Sequence, residues 1–234
     1  MDTRPLPSSR VPARPEIKIC GLSDASMIDV AIAAGAHEIG LVHFPKSPRH
    51  VEIEAMRALR AHAGDRARVA VVTVDADDEL LDAIAAQVAP DTVQLHGRET
   101  PERVRDVRDR TGLAVMKAIA VSSPEDLAAI ARFRPVADRI LLDAKRPAGS
   151  VLPGGNGVSF DWAILQSLGP NPDIVLSGGI HPGNVADALR RVNPRGLDVS
   201  SGVERAPGVK DAILIQRFFD ALGAPATNPE RQPA

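Results

Sequence analysis

Tyrosine is absent from this 234-residue chain, and aromatic residues make up only 3% of it. The core must therefore be built from Ala, Val, Leu and Ile, a composition that suits buried parallel strands covered by Ala-rich helices. A single cysteine rules out an internal disulfide and fits a reducing cytoplasm. Lys and Arg nearly balance Asp and Glu, leaving a formal net charge of −2. No basic excess suggests nucleic acid, and no run of like charges suggests an interaction tail. No apolar stretch approaches the roughly 20 residues that span a bilayer. Met1–Pro15 carries charge and proline but no apolar segment, so it does not read as a secretory signal. No pair of His, Cys or carboxylate residues has metal-ligand spacing, so no metal is expected.

Hydrophobic residues amount to 44% of the chain, enough for one large core. They fall in short runs bounded by turn residues, as buried parallel strands do. These runs are Ile17–Cys20, Glu38–His43, Arg68–Val74, Thr92–Leu95, Ala114–Ala118, Arg139–Leu142, Ile174–Leu176 and Gly196–Val199. Helical patterns fill the gaps: Asp24–Ala34, Ile53–Ala63, Asp78–Val88, Pro101–Arg110, Pro124–Arg132, Phe160–Leu168, Pro182–Val192 and Val209–Leu222. Such alternation predicts an α/β protein with a single (β/α)₈ TIM barrel over residues 16–222. An open doubly wound sheet is the competing architecture, but no Gly-x-Gly-x-x-Gly follows the first strand. Residues 1–15 and 223–234 show no periodicity and are expected to be flexible extensions.

In a barrel of this kind the site gathers at the C-terminal ends of the strands. Cys20 ends the first strand, and Asp143 follows Ile140-Leu141-Leu142 in the sixth. A free cysteine is often just a small buried apolar residue, but at a strand end its thiolate is a candidate base. Asp143 reads either as an ion-pair partner of Lys145 or Arg146 or as a general acid in a water-poor site. Arg49, after Ser47-Pro48, is a surface arginine or the fork that holds a substrate carboxylate. His96 and Asp198 stand at the ends of strands four and eight, as structural groups or as groups that orient the substrate. Three glycine-rich loops fall late in the chain, at Gly155-Asn156-Gly157, Gly178-Gly179 and Ser201-Gly202. Glycine lets backbone N–H groups approach an anion. The loops after strands seven and eight are the usual phosphate site of this fold. The expected ligand is a small phosphorylated molecule.

Taken in order, Lys18-Ile19-Cys20-Gly21, Ser47-Pro48-Arg49, Gln94-Leu95-His96-Gly97, Leu142-Asp143, Gly154-Gly155-Asn156-Gly157, Ser177-Gly178-Gly179 and Asp198-Val199-Ser200-Ser201-Gly202-Val203-Glu204 resemble the phosphoribosylanthranilate isomerase family of tryptophan biosynthesis. The resemblance runs from about Glu16 to Leu222. It implies a cofactor-free Amadori rearrangement of N-(5-phosphoribosyl)anthranilate to the deoxyribulose form. It also implies Asp143 as general acid, Cys20 as general base, Arg49 on the anthranilate carboxylate and the late glycine loops on phosphate. Asn156 stands where the family often has Thr, and His43 where an aromatic residue is common. The loop Ala144–Leu152 is long enough to act as a lid. Two rivals are a histidine-pathway isomerase of the same fold and a non-catalytic phosphosugar-binding barrel. The first places a carboxylate where this chain has Cys20; the second has no need of both Cys20 and Asp143. The expected partner is the phosphoribosyl substrate alone, with no nucleic acid and no membrane, bound by a monomer with a dimer as the alternative.

Overall fold

A computed structural model describes residues 15–145, 161–170 and 172–223 of the chain. Eight parallel strands close into a barrel in sequence order: β1 (Glu16–Cys20), β2 (Glu38–His43), β3 (Arg68–Thr73), β4 (Thr92–Leu95), β5 (Ala114–Val121), β6 (Arg139–Ala144), β7 (Val175–Leu176) and β8 (Gly196–Val199). The ring closes where Lys18 on β1 lies opposite Asp198 on β8. Helices α1 (Ala25–Ala34), α2 (Ile53–Ala63), α3 (Asp78–Ala83), α4 (Pro101–Thr111), α5 (Ala128–Phe133), α6 (Val185–Arg191) and α7 (Ala212–Gly223) form the outer layer.

Local chemistry sets the helix limits. Asp24 caps α1 by accepting the Met27 N–H at 2.9 Å, and Gly35 closes it at φ +115°, a left-handed value that favours glycine. Thr100 caps α4, with Pro101 in the first turn, where the missing proline N–H costs no helix bond.

Successive strand side chains point to opposite faces. Ile17, Ile19, Ile39, Leu41, Val69, Val71, Val93 and Leu95 face outward and join the helices in the main core. The alternate residues fill the barrel in layers of four drawn from alternate strands. Lowest is a polar layer in which Arg139 on β6 forks onto Glu38 of β2 at 2.8 and 2.6 Å. Arg139 also donates to Thr92 of β4 at 2.8 Å. The register then stacks Lys18, Ala70, Met116 and Val175, followed by Gly40, Gln94, Leu141 and Asp198. Above these stand Cys20, Val72 and Ala118, and then Val42 and Asp143. Four of the interior apolar side chains, Met116, Ala118, Leu141 and Val175, pack together as a small separate core.

Some segments depart from the sequence expectation. β5 runs on to Val121, and the expected helix from Pro124 is a 3₁₀ turn (Pro124–Leu127) before α5. The Asp126 carboxylate accepts the N–H groups of Ser122 and Ser123 at 2.8 and 3.1 Å, which tightens that turn. Trp162–Leu168 is also 3₁₀. The helix expected from Pro182 starts at Val185. The helix expected from Val209 starts at Ala212, because Glu204–Ala206 and Val209–Lys210 pair as a hairpin, β9 and β10.

The Arg139–Glu38 fork generates a prediction about acid stability. Burial works against the Glu38 carboxylate, yet bonds and charge from Arg139, with help from Lys18, hold it below the usual range. A lowered folded-state value adds stability above the ordinary glutamate pKa, and that stability is lost as pH falls through the folded value. Glu38→Gln is expected to cost about 3 kcal/mol near neutral pH, because it strands the buried end of Arg139. In urea melts taken down through about pH 4, the variant's stability should fall less steeply than the parent's. Parallel losses in the two proteins would count against this account.

Candidate active site

The C-terminal ends of the strands surround one open pocket, where ligands of this fold bind. Cys20, Arg49, His96, Asp143, Gly178 and Ser201 are among its lining residues. The closed ring thus brings side chains from β1, β4, β6 and the loops after β2, β7 and β8 to one opening.

Asp143 is 3% exposed. Its Oδ1 accepts the Ala144 N–H at 2.9 Å, and its Oδ2 meets His96 Nε2 at 3.2 Å. The other His96 nitrogen lies 3.1 Å from the Gln94 side-chain amide, so His96 links Gln94 to Asp143. The alternative of an ion pair with Lys145 does not form, since Lys145 lies toward Asp126 instead. Arg146 is outside the described residues.

Cys20 is buried but reaches the pocket. Burial pushes its thiol up, Lys18 pulls it down, Asp198 pushes it up, and Lys210 pulls it down. Asp198 also lines the pocket, where it accepts from Lys18 Nζ at 2.9 Å. Burial pushes the Asp198 carboxyl up, opposed by Lys18 and supported by Asp143 and Glu38.

Arg49 is buried rather than solvated, at 5% exposure. Its Nε and Nη2 fork onto the two oxygens of Glu204 at 2.7 and 2.8 Å. Lys210 Nζ donates to Glu204 at 2.7 Å and to the Ser200 carbonyl at 3.0 Å. Burial works against the Glu204 carboxylate, but Arg49 and Lys210 hold it below the usual range. The β9–β10 hairpin therefore braces Arg49 from behind. Sequence reasoning assigned Glu204, Lys210 and Lys18 no role. Lys18 and Glu204 fall within the segments that carry the family resemblance, whereas the signal of Lys210 was only a charge beside the apolar Val209.

Gly178, Gly179 and Ser201 line the pocket next to Ser177, Ile180 and Ser200. Gly178 adopts φ +85°, and a Cβ there would lie 2.5 Å from Ala144 N and 3.0 Å from Asp143 Oδ1. Gly202 sits behind the rim, where a Cβ would fall 1.9 Å from the Ile180 carbonyl oxygen. Glycine at both points lets the β7 and β8 loops interleave and lets the β7 loop pack on Asp143. Gly155, Asn156, Gly157 and most of the expected lid segment lie outside the described residues.

His43, Glu52 and His50 form one cluster with metal-ligand proximity among the described residues. His50 Nδ1, however, accepts the Phe44 N–H at 3.1 Å, so Nε2 carries the proton toward Glu52 at 3.0 Å. Such a ring has no free lone pair for a cation. His43 packs edge-on against His50 and bonds to the Val51 carbonyl at 3.0 Å, beside the Arg49 loop.

A closed parallel barrel whose pocket joins a strand-end thiol, a strand-end carboxylate and glycine turns after β7 and β8 has the layout of a (β/α)₈-barrel isomerase. Comparison with known proteins makes the assignment particular. Residues 17–221 match the family model for N-(5'-phosphoribosyl)anthranilate isomerase. The proteins of that name from Brucella canis and Brucella suis are 52% identical over 214 residues, covering 92% of this chain and 96% of theirs. The crystal structure of the Thermotoga maritima isomerase superposes with a TM-score of 0.80 at 32% identity, over 89% of this chain and 98% of that one. A phosphoribosylanthranilate isomerase in complex with reduced 1-(o-carboxyphenylamino)-1-deoxyribulose 5-phosphate gives 0.77 at 31% identity, with the same coverage. The chain belongs to the N-(5'-phosphoribosyl)anthranilate isomerase family.

The packing of Gly178 against Asp143 predicts that Gly178→Ala destabilises the protein. A left-handed alanine alone costs on the order of 1–3 kcal/mol, and the added methyl must also displace Ala144 or Asp143. A urea midpoint equal to the parent's would show that the loop relaxes freely and does not hold the carboxylate.

Proposed function

We propose that Cys20 and Asp143 carry out the Amadori rearrangement of N-(5-phosphoribosyl)anthranilate to 1-(2-carboxyphenylamino)-1-deoxyribulose 5-phosphate. The observation that supports this reading best is that the thiol and carboxyl, more than a hundred residues apart in sequence, line one pocket. Asp143 gives a proton to the furanose ring oxygen, and the ring opens to a Schiff base. The Cys20 thiolate then removes the proton on sugar C2, and the resulting enolamine tautomerises to the ketone. The reaction is a net isomerisation: the proton given at the ring oxygen and the proton taken from C2 balance, and no electron acceptor enters.

The remaining pocket groups have supporting parts. Arg49, stiffened by Glu204, faces the anthranilate carboxylate, for which a guanidinium fork is the natural partner. Backbone N–H groups of Gly178–Gly179 and Ser201–Gly202 bind the phosphate, with Gly155–Gly157 added from the loop after β6. His96 holds Asp143 in place, and Asp198 holds Lys18 and meets the substrate amine. A histidine-pathway isomerase is disfavoured by the thiol at the end of β1. The protein acts in the cytoplasm as a monomer. Among the described residues, Val209 and Ile213 are the large apolar side chains left exposed, too little apolar surface to demand a partner.

Cys20→Ser and Asp143→Asn are each expected to lower kcat by about 10²–10⁴-fold with an unchanged far-UV spectrum. In the parent, kcat/KM should rise with pH as the thiol ionises, above the pH of an ordinary thiol, because burial raises it. Near-parental turnover in both folded variants would sink the acid–base assignment.

A further inference from the structure

Beneath the proposed base lies a buried charge that the reaction scheme does not use. Lys18 sits two residues before Cys20 on β1, so both side chains point into the barrel, one pleat apart. Lys18 is 2% exposed, and unpaired burial of an ammonium is costly. Gly40, the neighbour across β2, has no side chain, and the gap it leaves is shared by thiol and ammonium. A Cβ at Gly40 would lie 2.9 Å from Cys20 Sγ and 3.0 Å from Lys18 Nζ. On the other side, Asp198 of β8 holds Nζ at 2.9 Å.

We propose that Lys18 is the positioning residue that ionises Cys20: its ammonium, anchored by Asp198 and admitted by Gly40, stabilises the thiolate that takes the substrate proton. The thiol proton leaves to solvent through the open pocket, and Lys18 keeps its own proton. A thiolate–ammonium pair then stands in the water-poor barrel, where an opposite charge acts strongly.

The other charged groups around Cys20 leave Lys18 as the principal stabiliser. Lys210 of β10 also favours the thiolate but is shared with Glu204. Arg49, on the loop after β2, is likewise committed to Glu204. Asp198 opposes the thiolate. Glu38 is bound to Arg139 at the barrel floor. Asp143 and His96, across the pocket, are bound to each other. Lys18 stays charged throughout the working range. Burial lowers its tendency to hold a proton, but Asp198, Cys20 and Glu38 more than restore it and leave its pKa raised.

This inference deepens the reading of Cys20 as base and rests on it, but its test does not. The chain holds one cysteine, so the rate of iodoacetamide alkylation of the full-length protein reports Cys20 ionisation directly. Lys18→Met should move the alkylation profile to higher pH and slow the reaction about tenfold wherever the thiolate is the minor form, since the charge that favours it is gone. The same variant should lower kcat with little change in KM, and Lys18→Arg should restore part of both. Should Lys18→Met fail to fold, Lys18→Gln removes the charge but keeps a donor for Asp198, and should still show a profile displaced upward. An unchanged alkylation profile in a folded variant without the Lys18 charge overturns the inference. Activity surviving in Cys20→Ser would instead overturn the reading of Cys20 as base, leaving the Lys18–Cys20 coupling intact.

Discussion

The closure of eight parallel strands into one ring is the constraint on which everything else depends. Once β1 pairs with β8, every second strand residue must face a narrow interior, and strand identity decides the height at which it does so. The outward set is largely apolar and binds the helices, with Lys117 buried among it on an ion pair with Glu99. The inward set is mixed: Arg139, Glu38 and Thr92 at the floor, Lys18 and Asp198 midway, Cys20 and Asp143 at the mouth. A slip of one residue in any strand would exchange the two sets. The same register that buries the core therefore also aims the chemistry.

Buried charges of this kind are poor sources of net stability. Desolvation offsets most of the attraction within a pair, and apolar replacements of similar volume are often as stable or more so. The Arg139–Glu38 fork and the Lys18–Asp198 pair are thus better understood by what they make possible than by what they add to folding. The floor pair fixes the bottom of β2, β4 and β6 in one layer. The middle pair places a positive charge beneath the thiol, where Gly40 leaves room for it. At the mouth, the Glu204 carboxylate joins Arg49 to Lys210, so the guanidinium is held in one orientation. Preorganised groups of this sort cost no rearrangement when charge develops.

Much of this was legible in the sequence, because period-two burial and strand-end position are written locally. The short apolar runs located all eight strands, and Cys20, His96 and Asp143 emerged as strand-end groups that the fold does bring to one pocket. The limits of β5 and of the segment after it were less legible, since Asp126 tightens that turn through side-chain bonds with no periodic trace. The β9–β10 hairpin resembles the start of a helix in sequence, because the apolar spacing of Val209, Ile213 and Leu214 suits either form. Glu204 went unassigned because its partner Arg49 is more than 150 residues away, and long-range pairing leaves no local pattern; Lys210 takes its place by bonding to Glu204. Lys18 is plainly a lysine within a strand, but nothing local shows that a missing side chain at Gly40 admits it to the thiol.

The central claim is that one pocket places acid and base at the sugar while its rim holds the two ends of the substrate. A crystal structure of this protein with reduced 1-(o-carboxyphenylamino)-1-deoxyribulose 5-phosphate tests it most directly. The account predicts the phosphate on the backbone of Gly178–Gly179 and Ser201–Gly202 and the carboxylate on Arg49. It also predicts Asp143 and Cys20 in contact with the ribulose carbons and oxygens between them. A ligand bound with its phosphate away from the β7 and β8 loops, or with its sugar out of reach of Cys20 and Asp143, would contradict it.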